Sequence, residues 1–351
     1  MSKFIEPKDR DLFDSSTRLE ELHEMGDPLE RLDEVIDWTV FEPVLTRIPK
    51  AEPKGLGGRP SFHPLLMFKA LVIQNLYQLS DKQLEFQITD RLSFKRFLGF
   101  SEADKAPDEK TFWAFREMLS KNDLIDPLFD CFRAALESKG LFARRGQMVD
   151  ASFVEVPRQR NSREDNAKIK AGETPEDWDK KPEKARQKDT DARWTKKNGV
   201  SHYGYKNHVK VDSRSKLIDK FTVTDASVHD SQALEALLSK GDPVTYVDSA
   251  YTGEHCEGVF TSLQVEAKAI ERAYRNKPLN GKQKRSNRAK SRIRARVEHV
   301  FATMRMSMRA AWNRCIGMRR NRATIAMTNL VYNMVRCEQI HRLGLKNWRA
   351  V

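Results

Sequence analysis

The chain has 351 residues, with 63 Lys or Arg against 50 Asp or Glu and a formal net charge of +13. That length can bury a sizeable core and suggests two domains, while its one strongly apolar run, PLLMFKALVI, is too short for a membrane span and is interrupted by Lys69. The charged opening MSKFIEPKDRDLFD has no apolar secretion core, and Cys131, Cys256, Cys315 and Cys337 show no C-x-x-C spacing, so the reading expects no export, no disulfide framework and no zinc ribbon, only reduced, buried thiols.

Residues 1–50 are acidic and helical in pattern, with 13 acids against 7 bases, which leaves +19 on residues 51–351. A basic body suits a polyanion such as nucleic acid, although basic proteins that bind none are common and solubility explains the charge equally well. The Pro/Gly-rich IPKAEPKGLGGRP marks a linker, giving an acidic segment and linker over 1–55. From residue 56 to about 140, apolar residues recur at helical spacing, as in Leu65, Leu66, Val72, Ile73, Leu76 and Leu79. Within this helical region APDEKTFWAFREML offers Asp108 as a cap and an amphipathic helix of groove-entering size, although a packing helix fits the same pattern.

Beyond Gly146 the period turns to strands: QMVDASFVEV, SHYGYKNHVKV, LIDKFTVT, VTYVD and VEAKAI. Helical patterns at 231–239 and 253–263 separate the later ones, which predicts an α/β sheet over 141–340. Residues 157–198 are dense in charge and nearly free of large aliphatics, and read as a mobile, solvated insertion. A long helical pattern, ATIAMTNLVYNMVRCEQI, precedes a short tail at 341–351.

Three acids stand on elements that would hold them rigidly. Asp150 lies in the strand QMVDASF, Asp248 ends VTYVD before the turn-like SAYTG, and Glu298 is the lone acid after a stretch, Arg272 to Arg296, with eleven Lys or Arg and no Asp or Glu. At about 100° per residue, Ile293, Val297, Val300, Met304 and Met308 form a core stripe, and Glu298 projects about 120° from its centre with Arg294 and Arg305 beside it. Singly, each acid has a plain structural reading: an Arg294–Glu298 pair worth a few tenths of a kcal/mol, an Asx-type turn at Asp248, a strand ion pair at Asp150. Together they suit phosphodiester chemistry, which wants several fixed oxygen ligands around Mg²⁺ and arginines on the phosphate.

At these residues the sequence resembles bacterial insertion-sequence transposases of the DDE type, whose third acid sits in a Y-x2-R-x3-E-x6-K signature. Arg294, Glu298 and Arg305 fall at the R, E and K spacings; Ser291 stands in place of the Tyr and Arg305 in place of the Lys. MVDASFVEV, HYGYKNHVKVD, VHDSQALEALL, YVDSAYTG, VEHVF and NLVYNMVR look like the same family, and GRPSFHPLLMFKALVIQNLYQLSDKQLE is similar to the N-terminal domain of its insertion-sequence-five branch. The resemblance implies an RNase H-like mixed sheet with flanking helices preceded by an all-α, DNA-binding domain. It implies Asp150, Asp248 and Glu298 as the catalytic, metal-binding triad. It also implies two Mg²⁺ ions, with Mn²⁺ equally suited to oxygen ligands, double-stranded DNA as terminal inverted repeats and target, a homodimer or higher assembly on that DNA, and a cytoplasmic, nucleoid-associated bacterial setting.

On this reading water cuts a strand at the element's end and the freed 3′-hydroxyl attacks target DNA, with no covalent protein–DNA intermediate. Arg294, Arg305, Lys206, Arg292 and Arg296 are the candidate DNA contacts. Tyr251 and Ser249 are expected to shape the turn after Asp248, and His299, His229 and His255 to be structural rather than metal ligands. Two alternatives remain open at this point: a catalytically inactive transposase-derived DNA-binding protein, and an RNase H-like nuclease without strand joining.

Overall fold

The computed structural model describes residues 14–49, 61–175, 178, 181–273 and 278–345. Most of the expected linker, the opening residues and the end of the C-terminal tail lie outside this set. Eight helices lead the chain: α1 (Asp14–Glu24), α2 (Pro28–Val35), α3 (Glu42–Leu45), α4 (Pro64–Tyr77), α5 (Asp81–Asp90), α6 (Leu92–Leu98), α7 (Glu109–Lys121) and α8 (Ile125–Ser138). The starts of α2, α4, α5 and α7 are written in side chains that satisfy the first free amides. Ser80 and Gln83 close a reciprocal capping box at α5, and the Thr111 amide donates to Asp108 at 2.7 Å at the start of α7, as the sequence predicts. Pro64 opens α4, where its missing amide costs nothing.

The sheet follows with β1 (Gln147–Glu155), β2 (Arg193–Lys197), β3 (Val200–Asp212), β4 (Ile218–Asp225), β5 (Thr245–Val247) and β6 (Ala267–Ala269). β1 runs antiparallel to β3, from Gln147 opposite Asp212 to Glu155 opposite Gly204. It pairs in parallel with β5, and β5 in parallel with β6. On the far edge of β3, β2 and β4 lie end to end. At their junction Gly204 takes φ +145°, and a Cβ there would stand 2.4 Å from the Val154 carbonyl oxygen, so only glycine fits.

Helices cover both faces. The strands alternate, so Val149 and Val247 pack against α11 (Leu234–Leu237) and α12 (Glu254–Ser262) on one side. Met148, Val209 and Val211 meet α13 (Gly281–Met308) and α14 (Met318–Arg342) on the other. This is the mixed α/β, RNase H-like arrangement expected. The core does not stop at residue 140: Phe41, Phe68, Phe112 and Phe129 of the helical region belong to the same buried cluster as Val300, Leu330 and Ile340. Ion pairs Arg320–Glu117 and Arg31–Glu338 run along that seam.

Residues 157–198 depart from expectation in the described part. They contain α9 (Arg163–Lys170), α10 (Pro182–Arg186) and β2, and bury Ile169, Trp178 and Ala192. Asp189, 3% exposed, accepts hydrogen bonds from Tyr205 Oη at 2.8 Å, the Ala192 amide at 2.9 Å and the Gly317 amide at 3.1 Å; Asp191 accepts one from Met318 N at 2.7 Å. A polar anchor at the start of α14 replaces the aliphatic core that the segment lacks, which is why hydrophobic patterning reads it as mobile. Among the thiols, all free, Cys256 and Cys337 are buried as expected, but Cys131 and Cys315 are only half-buried.

Candidate active site

Three elements bring the three acids to one place. Asp150 is mid-strand in β1, the central strand, opposite Val209. β5 lies beside β1 and runs the same way, so its end delivers Asp248 to the same side. α13 crosses this edge. Asn280 and Gln283 form a capping box at its start, and Val297, Val300, Met304 and Met308 are buried with Ile293 packed against them, which is the stripe read from the sequence.

That rotation puts Arg294, rather than a metal ligand, at the centre. Its Nη2 lies 3.1 Å from Asp150 Oδ2 and 3.5 Å from Asp248 Oδ2, and its Nη1 lies 3.8 Å from Glu298 Oε1. Each aspartate commits its other oxygen to the backbone: Asp150 Oδ1 accepts from the Ala151 amide at 2.8 Å, and Asp248 Oδ1 from the Ser249 amide at 2.7 Å. The Asx-type turn at Asp248 and its approach to Arg294 are therefore compatible, one oxygen for each. Exposure grades outward, from 15% for the Asp150 side chain through 41% for Asp248 to 68% for Glu298. Burial raises the Asp150 carboxyl above the ordinary carboxylate range, with the Arg294 guanidinium opposing it.

Two buried polar atoms here have no hydrogen-bond partner among the described residues: Arg294 Nε and Tyr251 Oη. Burial, and then the negative field of Asp150, hold the Tyr251 hydroxyl far above its usual pKa. Unpaired buried donors are costly, so both mark a site with unspent hydrogen-bonding capacity. Ser249 ties the turn to a further cation, accepting from Arg272 Nε at 2.9 Å.

The predicted DNA contacts divide. Arg292 and Arg305 are exposed on α13, with no ion pair among the described residues. Arg296 donates to the Ser213 carbonyl at 2.9 Å. Lys206 is withdrawn from the surface: it is buried and its ammonium meets Asp230 at 2.9 Å and the Val228 carbonyl at 2.7 Å. His229 acts as a structural cap, accepting from the Ser231 amide, while His255 and His299 are exposed. Sequence reasoning missed His208, wholly buried, its Nε2 2.9 Å from Thr224 Oγ1 and its imidazole pushed down to about 4 by burial. It also missed Arg294 as the hub. The signal was present, since Arg294 lies one turn before Glu298 and toward the sheet, but its charge suggested phosphate.

Residues 142–334 match the transposase DDE domain family, more than half of the chain, and residues 17–118 match the transposase domain family DUF772. The chain belongs to the DDE transposases. No solved structure matches the chain. The transposase thus carries an RNase H-like fold behind an all-helical region, and its family consists of DNA-cleaving and DNA-transferring enzymes that generally use a divalent metal. Among the described residues, no three acids, histidines or cysteines stand close enough together to hold one metal ion, and no helix is long and apolar enough to cross a membrane.

The donor set nevertheless fits a hard divalent cation in kind. Asp150, Asp248 and Glu298 offer only carboxylate oxygens, and all three already converge on one positive group. A cation bound there would have to share those oxygens with the Arg294 guanidinium.

Proposed function

We propose that this transposase cuts DNA at the inverted-repeat ends of an insertion sequence and joins the freed 3′-hydroxyl to target DNA, as the insertion-sequence-five branch of its family. One observation carries the reading: Asp150, Asp248 and Glu298, separated by up to 148 positions in the chain, all turn to a single guanidinium. Bound Mg²⁺ or Mn²⁺, two ions per site, would supply activation of the attacking oxygen and charge stabilisation on the leaving one. Asp150, Asp248 and Glu298 would hold those ions. Arg294, displaced from the carboxylates, would then be free to pair with a phosphate oxygen, and guanidinium geometry suits that bidentate contact. The exposed Arg292 and Arg305 would position the backbone on either side, with Arg296 nearby, while Lys206 would serve by ordering Asp230 rather than by touching DNA. Two DNA ends must be held together for joining, which calls for a homodimer or larger assembly on double-stranded DNA, in the nucleoid of a bacterial cytoplasm.

The test is to incubate the full chain with Mg²⁺, labelled terminal inverted-repeat duplex and a target plasmid. Nicking at the repeat end and joined product are expected, and Asp150→Asn is expected to lose both while still binding the duplex. Binding by the wild type without nicking would leave a DNA-binding relic, and nicking without joined product a nuclease. Unaltered cleavage by Asp150→Asn would remove that residue from the triad.

A further inference from the structure

The start of α13 carries a set of cations that the carboxylate site does not use. Lys282, Lys284, Arg285, Arg288 and Arg292 are all exposed, and none has an ion pair or a side-chain hydrogen bond among the described residues. Other guanidiniums of the fold, such as Arg116, Arg133 and Arg144, are held by carboxylates.

The helix is clamped so that these cations stay outside. Along one flank Gln283 Nε2 donates to Glu271 Oε2 at 2.7 Å, Asn287 Nδ2 to the Glu271 carbonyl at 2.9 Å while its Oδ1 accepts from the Glu271 amide, and Lys290 Nζ to the Ala269 carbonyl at 2.9 Å. These positions recur at helical spacing and fix the rotation of α13 against the segment after β6. Lys284, Arg288 and Arg292 recur at the same interval on the exposed side, each about 6 Å further along the axis. Their line sits roughly 80° around the helix from Glu298 and ends about 9 Å before it.

The clamp also decides what kind of contact is left. Asn and Gln are the side chains that read adenine edges, and the two amides of this stretch are spent on Glu271. The remaining donors are exposed cations with no partner among the described residues; they suit phosphate oxygens, which carry no sequence information, while the arginines retain the capacity to read a guanine edge. Lys284 to Arg292 spans about 12 Å, the axial rise of three to four nucleotides of one strand at about 3.4 Å each.

We infer that the first three turns of α13 form a phosphate rail for duplex DNA, one that binds repeat ends and unrelated target sequence alike and feeds the strand toward Glu298. This rests on the reading of the chain as a DNA-cleaving transposase, but its test is separate. The full-length protein, in EDTA, is titrated by fluorescence anisotropy against labelled duplexes of inverted-repeat and of unrelated sequence over a series of salt concentrations. The variant Lys282→Gln, Lys284→Gln, Arg285→Gln, Arg288→Gln should lower the magnitude of the slope of log K against log salt by about 0.9 for each phosphate no longer neutralised, so by about 2 through Lys284 and Arg288 on the line and by about 0.9 more for each of Lys282 and Arg285 that also meets a phosphate, on both duplexes. The charge-preserving exchanges Lys282→Arg, Lys284→Arg, Arg285→Lys and Arg288→Lys should keep the wild-type slope, and circular dichroism of both variants should match the wild type. An unchanged slope in the folded neutral variant overturns the rail, and a loss confined to the inverted-repeat duplex overturns its indifference to sequence. Wild-type protein that shows the slope but never nicks DNA in Mg²⁺ would sink the catalytic reading and leave the rail standing.

Discussion

Replacing Arg294 by Met removes a charge but keeps a chain of similar length, and its consequences follow from the three ion pairs that the guanidinium makes. Glu298 is 68% exposed, so its share is screened to almost nothing. The pair that matters is Arg294–Asp150, at 3.1 Å with side chains 17% and 15% exposed. Removing one partner of a buried pair costs about 3–5 kcal/mol, and the residual exposure argues for about 3. Without the guanidinium that opposes burial, the Asp150 carboxyl rises further above its ordinary range. A raised folded-state value leaves stability intact in acid, where both states are protonated, and erodes it as pH climbs through and above the unfolded carboxylate value. The deficit should therefore be small near the ordinary carboxylate pKa and full near neutral pH. Mg²⁺ should then restore more to the variant than it adds to the wild type, because in the wild type the ion must first displace the guanidinium. At a hundredfold excess over Kd, binding to the folded state alone supplies about 2.7 kcal/mol. Urea unfolding followed by tryptophan fluorescence, with EDTA or Mg²⁺ at several pH values, measures each of these effects. A variant as stable as wild type in EDTA near neutral pH, or an equal Mg²⁺ increment in both, refutes the competition between guanidinium and metal.

Lys210, 2% exposed, bridges Asp219 at 2.9 Å and Asp242 at 2.8 Å. Lys210→Met should cost about 3–5 kcal/mol in urea unfolding. Although burial opposes it, the pairing with Lys210 and the two arginines holds the Asp219 carboxyl below its ordinary range. In the wild type this contribution is present above the unfolded carboxylate pKa and is lost as pH falls through the lower folded value, so the destabilisation by Lys210→Met should shrink in strong acid. Gly204→Ala forces a Cβ to 2.4 Å from the Val154 carbonyl at a φ of +145°, and should lower stability by about 2–3 kcal/mol in the same assay. Asp189→Asn should leave global unfolding within about 1–3 kcal/mol of wild type yet speed limited proteolysis within residues 157–188; an unchanged cleavage rate would show that the carboxylate does not hold the insertion.

What the sequence made legible was whatever repeats with a fixed period. The stripe Val297, Val300, Met304 and Met308 is buried, the five strands foreseen are all present, and Asp108 caps α7 as expected. β2 escaped because Arg193–Lys197 presents cations on a short edge strand with little apolar alternation, and its pairing with β3 is a backbone matter. Lys206 was misjudged for the opposite reason. Strand alternation gives a face but not its cover, and the cover is Asp230, 24 positions later. Arg294 shows the same limit, since a helical wheel places it beside Glu298 but cannot say that β1 and β5 deliver two more carboxylates to its other side.

The shared core bears on how the two matched regions work together. α14 is the strut: buried residues from Ala323 to Ile340 pack in one cluster with the helical region, α13 and the sheet. Its amides and guanidiniums reach both ways, Asn329 bonding Asn207 of β3 at 3.1 Å and Arg320 pairing with Glu117 of α7 at 2.6 Å. A helix gripped along its length by two regions cannot let one swing without opening buried apolar surface, at about 25 cal/mol for each Å². The helical region is therefore packed against the sheet and α13 through one buried cluster rather than tethered to them. A duplex seated on it would be registered to Asp150, Asp248 and Glu298 by that packing.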